Sequence, residues 1–353
     1  MTRTRTGRHR ATTTRQSAGG RLGCVDVAKG ISIVLVVLHH AVMFLEPHGL
    51  VPGPLATLNL ALTSMRMPLF LLASGLFLAP VLERGWRTLL HRRVALFGWL
   101  YLLWTLVQFA VVTPLPAGSA PDFAVLGAAE LPLVLLYPDP SMWFLYALAL
   151  YSVAARLLRR VPGWVLLAAT GVLSTLVGAG IVEFGWHAWE LTARYAFFFV
   201  LGWHGRRFVE RVAARSSPLW VVTAAVLAVA VAGASVLLGL HDVPGVAFAL
   251  NLVAVTGGVL ASAQLARWRI GRGVAALGRR TLPIYLANVP LVALLTALLA
   301  GIDPPAAAQY GIVALVTAVA VALSLALYRG LVAVRAGWFY DLPGRWAVHP
   351  RIG

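Results

Sequence analysis

Long apolar stretches recur along this chain, and they dictate its fold class. They run at about 28–46, 57–80, 91–113, 141–158, 163–182, 190–208, 218–240, 245–265, 281–300 and 309–333. Most approach the roughly 20 residues that carry an α-helix across a bilayer. The chain is therefore expected to be an all-α integral membrane protein, a bundle of about ten transmembrane helices with both termini cytoplasmic. Composition agrees. Hydrophobic residues make up 60% of the chain and charged ones 12%, against about 25% charged in a soluble domain. Mean hydropathy is +0.83. A water-soluble globule of this size could not hide so much apolar surface, so the solvent for most of the chain is lipid. A disordered chain, a disulfide-stapled secreted module and a coiled coil are also excluded. The single cysteine, Cys24, rules out an intrachain disulfide and thiolate zinc sites.

The loops test the helix count. One set carries Arg84, Arg87, Arg92 and Arg93; Arg156, Arg159 and Arg160; Arg206, Arg207, Arg211 and Arg215; and Arg267, Arg269, Arg272, Arg279 and Arg280. The alternate set holds Glu46, Asp122, Glu130, Asp139, Glu183, Glu190, Asp242 and Asp303 and no Lys or Arg. A missed helix would scramble this segregation, and the basic set marks the cytoplasmic side of a plasma membrane. The net charge of +17 follows from 29 basic and 12 acidic residues. It reads as topology signals and contacts with anionic lipids. No zinc motif, RNP motif or basic recognition helix points to a nucleic-acid partner.

Residues 1–22 are rich in Arg, Thr and Gly without apolar period, and read as a disordered basic cytoplasmic tail. No convincing cleavage site follows the first apolar run, so that run is expected to stay as an uncleaved helix. Residues 23–335 form the membrane domain, and residues 336–353 a short cytoplasmic tail. Residues 122–138 are apolar but short, bounded by Pro121 and Pro138 and interrupted by Pro132. They read as an interfacial or re-entrant piece. No soluble domain and no internal repeat is found, which weighs against a transporter or flippase built on inverted repeats.

Charges within the spans are functional candidates by default. The first helix holds Lys29, His39 and His40. Lys29 and His40 are eleven residues apart, about three turns and roughly 16 Å, so they share a face with Ser32 and Val36. Asp26, one turn below Lys29, is placed to pair with it. Paired histidines at this depth serve proton transfer, or pack with a hydrogen bond to a neighbouring helix. Arg66 in SMRMPLFLLASGLFLAP lies near the outer end, as does Arg194, four residues after Glu190. Either they snorkel, or they form an anion- or sugar-binding mouth. Pro68 frees a backbone carbonyl, and Ser74-Gly75 lets another helix approach. Arg92 and Arg93 mark topology or hold phosphates of a cytoplasmic donor. Trp143 and Tyr146 anchor the interface or stack on a sugar. Tyr285 and Asn288 sit one turn apart at lipid depth, where Asn288 needs a partner.

Four of these segments together resemble the acyltransferase family 3 of bacterial membrane proteins: DVAKGISIVLVVLHH, RMPLFLLASGLFLAP, SMWFLYALALYS and LGRRTLPIYLANVPLV. The resemblance covers residues 21–335. In the first segment the family carries an Arg or Lys, ten residues and then a catalytic His, which Lys29 and His40 match. In the last, Asn288 stands where a His is frequent. The resemblance implies transfer of an acyl group, usually acetyl, from cytoplasmic acyl-CoA to a hydroxyl of an extracytoplasmic glycan, glycolipid or envelope component. It makes His40 the general base and leaves open whether an acyl-histidine forms first. His39 and Lys29 complete the catalytic candidates. Lys29, Arg92 and Arg93 are the candidates for the donor. Arg66, Trp143, Tyr146, Glu190, Arg194 and Asn288 are those for the acceptor. No permanently bound cofactor is expected, since acyl-CoA is a substrate.

Overall fold

The computed structural model describes residues 9–116, 120–121, 127–240 and 242–343, with residues 9–22 described in backbone only. Asp122 and the last ten residues of the expected tail lie outside the described residues. Every regular element among those described is a helix. In order they are α1 (His9–Leu45), α2 (Gly53–Ala61), α3 (Thr63–Gly75), α4 (Ala79–Glu83), α5 (Trp86–Leu89), a π-helix (Leu90–Ala95) and α6 (Leu96–Val112). After a short 3-10 helix (Leu131–Leu135) come α7 (Trp143–Leu157), α8 (Gly163–Gly178), α9 (His187–His204), α10 (Arg206–Ala214) and α11 (Pro218–Leu237). The last are α12 (Val246–Leu265), α13 (Arg269–Gly278), α14 (Thr281–Leu299), α15 (Ala306–Ala333) and a 3-10 turn at Gly337–Phe339.

Seven stretches are long and apolar enough to cross a membrane: Gly23–His48, Gly53–Glu83, Trp86–Val112, Pro218–Leu237, Val246–Leu265, Thr281–Leu299 and Ala306–Ala333. Three of the ten expected spans fall short of that measure. α7 and α8 have 15 and 16 residues, and 15 residues of helix cover only about 22 Å of a hydrocarbon layer about 30 Å thick. α9 has 18 residues but carries His187, Glu190, Arg194 and His204. The expected span at 57–80 is three helices, α2 to α4, broken at Leu62 and at residues 76–78. Two arginine loops fold into short helices, α10 and α13, each with one apolar face. The helical backbone of α1 begins at His9, not beyond residue 22. Adding residues to an existing helix avoids the cost of a new nucleus, so this differs from the expected disordered tail over residues 9–22.

α1 is the axis of the bundle and packs against α3, α12, α13, α14 and α15. Glycines set two of the closest crossings. A Cβ on Gly278 of α13 would lie 1.7 Å from the Asp26 carbonyl oxygen, and one on Gly30 would lie 2.1 Å from that of Val274. Between α3 and α9, a Cβ on Gly75 would meet Phe199 O at 2.1 Å and one on Gly202 would meet Leu72 O at 2.2 Å. The neighbour admitted by Ser74-Gly75 is thus α9.

Residues 127–138 do not span. Their carbonyls are hydrogen-bonded by aromatic side chains: Tyr101 Oη donates to Val134 O, Tyr146 Oη to Leu135 O, Trp189 Nε1 to Leu136 O and Trp186 Nε1 to Pro138 O. Irregular backbone at membrane depth needs such protein partners. The chain then runs inward until Ser141 O accepts from Tyr285 Oη on α14, at 3.0 Å. α7 begins only after this path, at Trp143, and has 15 residues. At the other end, residues 337–339 do not trail away as a tail. Trp99 Nε1 and Trp104 Nε1 donate to Trp338 O and Phe339 O, and Tyr340 packs on Trp104 and Tyr328.

Candidate functional site

α1 carries the candidate chemistry. Its face with Ser32, Val36 and His40 is buried, at 0%, 3% and 9% exposure. That follows from the helical spacing, which puts polar residues on the stripe turned toward α14. His40 Nδ1 lies 2.6 Å from Asn288 Oδ1, and Asn288 Nδ2 donates to the Tyr285 carbonyl one turn earlier. These contacts fix a tautomer. A carbonyl oxygen only accepts, so the amide nitrogen of Asn288 must face Tyr285 and its oxygen must face His40. That oxygen also only accepts, so Nδ1 of neutral His40 carries the proton and Nε2 keeps the lone pair. Asn288, where the resemblance leads one to look for a His, cannot relay a proton but can orient one.

His39 belongs to a different cluster. Its Nδ1 lies 3.2 Å from Asn59 Nδ2, Arg66 Nη1 donates to Asn59 Oδ1 at 3.0 Å, and Arg66 Nη2 donates to Thr63 Oγ1 at 2.7 Å. Arg66 is 2% exposed. It is therefore no rim residue of an open mouth, because Asn59 and Thr63 on the preceding turns draw its head inward. The two histidine rings stand 5.5 Å apart between centroids.

Toward the arginine-rich end of the bundle, a cavity of about 240 Å³ is lined by Lys29, Ser74, Phe77, Arg93, Phe144, Thr281 and Tyr285, among others. His40 does not line it; Tyr285 does, and its carbonyl accepts from the Asn288 amide that holds His40. Lys29 Nζ sits 5.6 Å from the centre of the Phe77 ring. Asp26 pairs with Arg279, at 3.4 Å, rather than with Lys29 as expected. The π-helix turns Arg93 into the cavity, where it lies over Phe97, and leaves Arg92 exposed. A π-turn adds one residue to a helical circuit and so redirects its side chains. Phe77 also borders a larger groove of about 800 Å³, which is lined by Cys24, Arg206, Arg207, Glu210, Arg211 and Arg267 with apolar residues between them.

The remaining acceptor candidates do not converge on one open surface. Trp143 is buried against Phe144 and Tyr195. Tyr146 is half-buried and bound to Leu135 O. Arg194 donates to Val177 O, and among the described residues it forms no ion pair with Glu190.

Sequence reasoning missed Asn59, Gln108, Asp139 and Ser141. Gln108 Nε2 donates to Ser141 Oγ, Ser141 N donates to Asp139 Oδ1 at 2.6 Å, and Asp139 N donates to Tyr101 Oη. Asp139 lies before α7 and is 1% exposed, and burial raises its carboxyl to about 6. Asn59 and Gln108 were legible as uncharged polar residues embedded in apolar runs, where each needs a partner.

The family model described as an acyltransferase domain matches residues 22–329. The chain belongs to the acyltransferase 3 family. No curated protein and no solved structure matches it. Its apolar helices and this membership make the acyltransferase a multi-pass membrane protein. Within the family match lie His40, Asn288, the cavity and the larger groove. The acyltransferase thus combines a hydrogen-bonded, buried imidazole with a basic cavity to which the same helix contributes Lys29.

Proposed function

We propose that this acyltransferase moves an acyl group, acetyl first, from acyl-CoA on the cytoplasmic side to a hydroxyl of an extracytoplasmic glycan, glycolipid or envelope component. His40 is the general base. The observation that carries this reading is the chain from Tyr285 O through Asn288 to His40, which leaves Nε2 with its lone pair. A hydroxyl attacks a thioester only when a positioned base takes its proton, and neutral imidazole suits that task. In the step, the acceptor oxygen bonds to the acyl carbon, its proton passes to His40 Nε2, and the C–S bond breaks. The imidazolium then returns the proton to the departing thiolate. Protonation of Nε2 leaves the bond from Nδ1 to Asn288 intact.

On the donor side, Lys29 and Arg93 supply charge within the cavity beside Phe77, and Arg206, Arg207, Arg211 and Arg267 supply it in the groove beyond. Together the two spaces suit a ligand with phosphates at one end and a slender thioester arm at the other. Volumes of this order are typical of ligand sites. Arg92, exposed outside the cavity, is assigned to topology and anionic lipid rather than to the donor.

The segregated loops support ten crossings of the plasma membrane with the arginine-rich end in the cytoplasm. Reporter tags at Arg211 and at Asp303 check it: the first is expected inside and the second outside. The function is tested by incubating membranes with acetyl-labelled CoA. Transfer of label to membrane material is expected from the parent chain and not from His40→Ala. Label transfer that survives His40→Ala removes the base assignment.

A further inference from the structure

The two adjacent histidines are held in opposite tautomers, and the second tautomer has a use. A guanidinium only donates, so the atom of Asn59 that faces Arg66 Nη1 is its oxygen. The atom that meets His39 Nδ1 is then the amide nitrogen, which also only donates. Nδ1 of His39 therefore carries the lone pair, and its proton sits on Nε2. His40 has the reverse arrangement, set by Asn288. The asymmetry extends to charge. His40 gains a proton on Nε2 without losing a contact. A proton added to His39 Nδ1 would face an N–H of Asn59, with the positive Arg66 behind it. His40 is built to be protonated, and His39 is built to stay neutral with an N–H on offer.

We propose that His39 Nε2–H is the fixed hydrogen-bond donor of the reaction centre, holding the acyl carbonyl oxygen as negative charge builds on it, with Asn59 and Arg66 as its positioning residues. This rests on the reading above, in which His40 is the base. The ring separation of 5.5 Å allows both histidines to serve oxygens bound to one tetrahedral carbon. His40 Nε2 takes the proton of the attacking hydroxyl as the new C–O bond forms. His39 keeps its own proton throughout and stabilises the oxyanion until the C–S bond breaks and the carbonyl returns. A donor aimed beforehand at the developing charge acts strongly where water is excluded. It also gives Arg66 a purpose that its 2% exposure denies it as an outer anion site.

The test follows thiol release from acetyl-CoA by the full chain in membranes that carry the natural acceptor. His39→Ala is expected to lower kcat by about 10² to 10³ with little change in KM for acetyl-CoA. Gln presents an amide N–H near the place of Nε2–H, so His39→Gln should stay within about tenfold of the parent. Neither His40→Ala nor His40→Gln should turn over. Asn59→Asp keeps a partner for Arg66 but accepts from His39, which draws the proton to Nδ1 and removes the donor. Its activity should fall at neutral pH. Relative to the parent it should recover as pH drops, because doubly protonated His39 regains Nε2–H. Parent-like turnover in His39→Ala, or His39→Gln as inactive as His39→Ala, overturns the proposal. Activity in His40→Ala overturns the base assignment instead. If the His39 variants do not insert, ¹⁵N shifts of the histidine-labelled parent decide. An Nε2–H on His39 beside an Nδ1–H on His40 is expected, and matching tautomers contradict it.

Discussion

α1 and α11 are both long and apolar enough to cross a membrane, yet they have opposite roles. α1 packs chiefly against α3, α12, α13, α14 and α15 and carries Lys29, Ser32, His39 and His40. α11 packs on α12, buries none of its residues and has no charged side chain along its length. Hydropathy decides that both enter lipid. Polar residues decide which of them is surrounded by protein, since a polar group in hydrocarbon costs several kcal/mol unless another helix satisfies it. Interior and rim should therefore answer differently to substitution.

The largest effect is expected where the interior has no slack. Gly278→Val puts a branched side chain where even a Cβ meets Asp26 O at 1.7 Å, so α1 and α13 must separate. Overpacking of this kind costs about 3 kcal/mol or more. Purified protein should melt well below the parent in detergent, and an unchanged melting temperature would mean that the crossing is not held closed. Asp139 comes next. Its ordinary carboxyl pKa of 3.8 is raised to about 6 by burial. The folded state then binds the proton more tightly than the unfolded one, so stability is full at low pH and is lost as pH rises between those values. The loss reaches at most roughly 3 kcal/mol, at 1.36 kcal/mol per pKa unit. Asp139→Asn should raise the melting temperature at neutral pH and flatten its pH dependence. A parent-like pH profile would show that the carboxyl is not buried as described.

Asn288→Leu should act on rate more than on insertion. It leaves His40 Nδ1 without its acceptor and its tautomer undetermined, at a cost of about 1–3 kcal/mol, or roughly tenfold to a hundredfold in turnover. Parent-like kcat in this variant would separate Asn288 from the chemistry. Arg93→Ala and Arg92→Ala sharpen the same contrast within one turn. The first should raise KM for acetyl-CoA, more at low salt than at high, because partly exposed charge contacts are screened. The second should leave it unchanged. Equal effects would mean that the π-helix does not sort them. At the rim, Val229→Leu on α11 faces no protein and should change stability by less than about 0.5 kcal/mol. A larger change would reveal a partner for that face.

Much of the fold was legible because one physical rule, the exclusion of polar backbone from lipid, governs most of the chain. The apolar segments and the face shared by Lys29 and His40 follow from it and from the helical repeat. The exceptions have reasons. α10 and α13 are half polar, so an averaged hydropathy conceals them in arginine loops. α7 has 15 residues and begins only after the chain has run in to Tyr285, a contact spanning 144 positions. Arg66 looked like a rim residue because sequence gives depth along a helix but not what closes over it. The bond between His40 and Asn288 joins residues 248 positions apart. The spacing of Lys29 and His40 pointed to His40, but only three-dimensional hydrogen bonding tells which of its nitrogens is left with the lone pair.

The central claim is that His40 Nε2 removes the acceptor's proton. It is tested most directly by turnover of acetyl-CoA in membranes holding equal amounts of inserted parent and His40→Ala. Loss of general-base help typically costs about 10² to 10⁴ in rate. Transfer of label from acetyl-CoA is expected to fall by at least that lower bound in His40→Ala while the variant still retains bound CoA. Transfer at the parent's rate in a correctly inserted His40→Ala protein would contradict it.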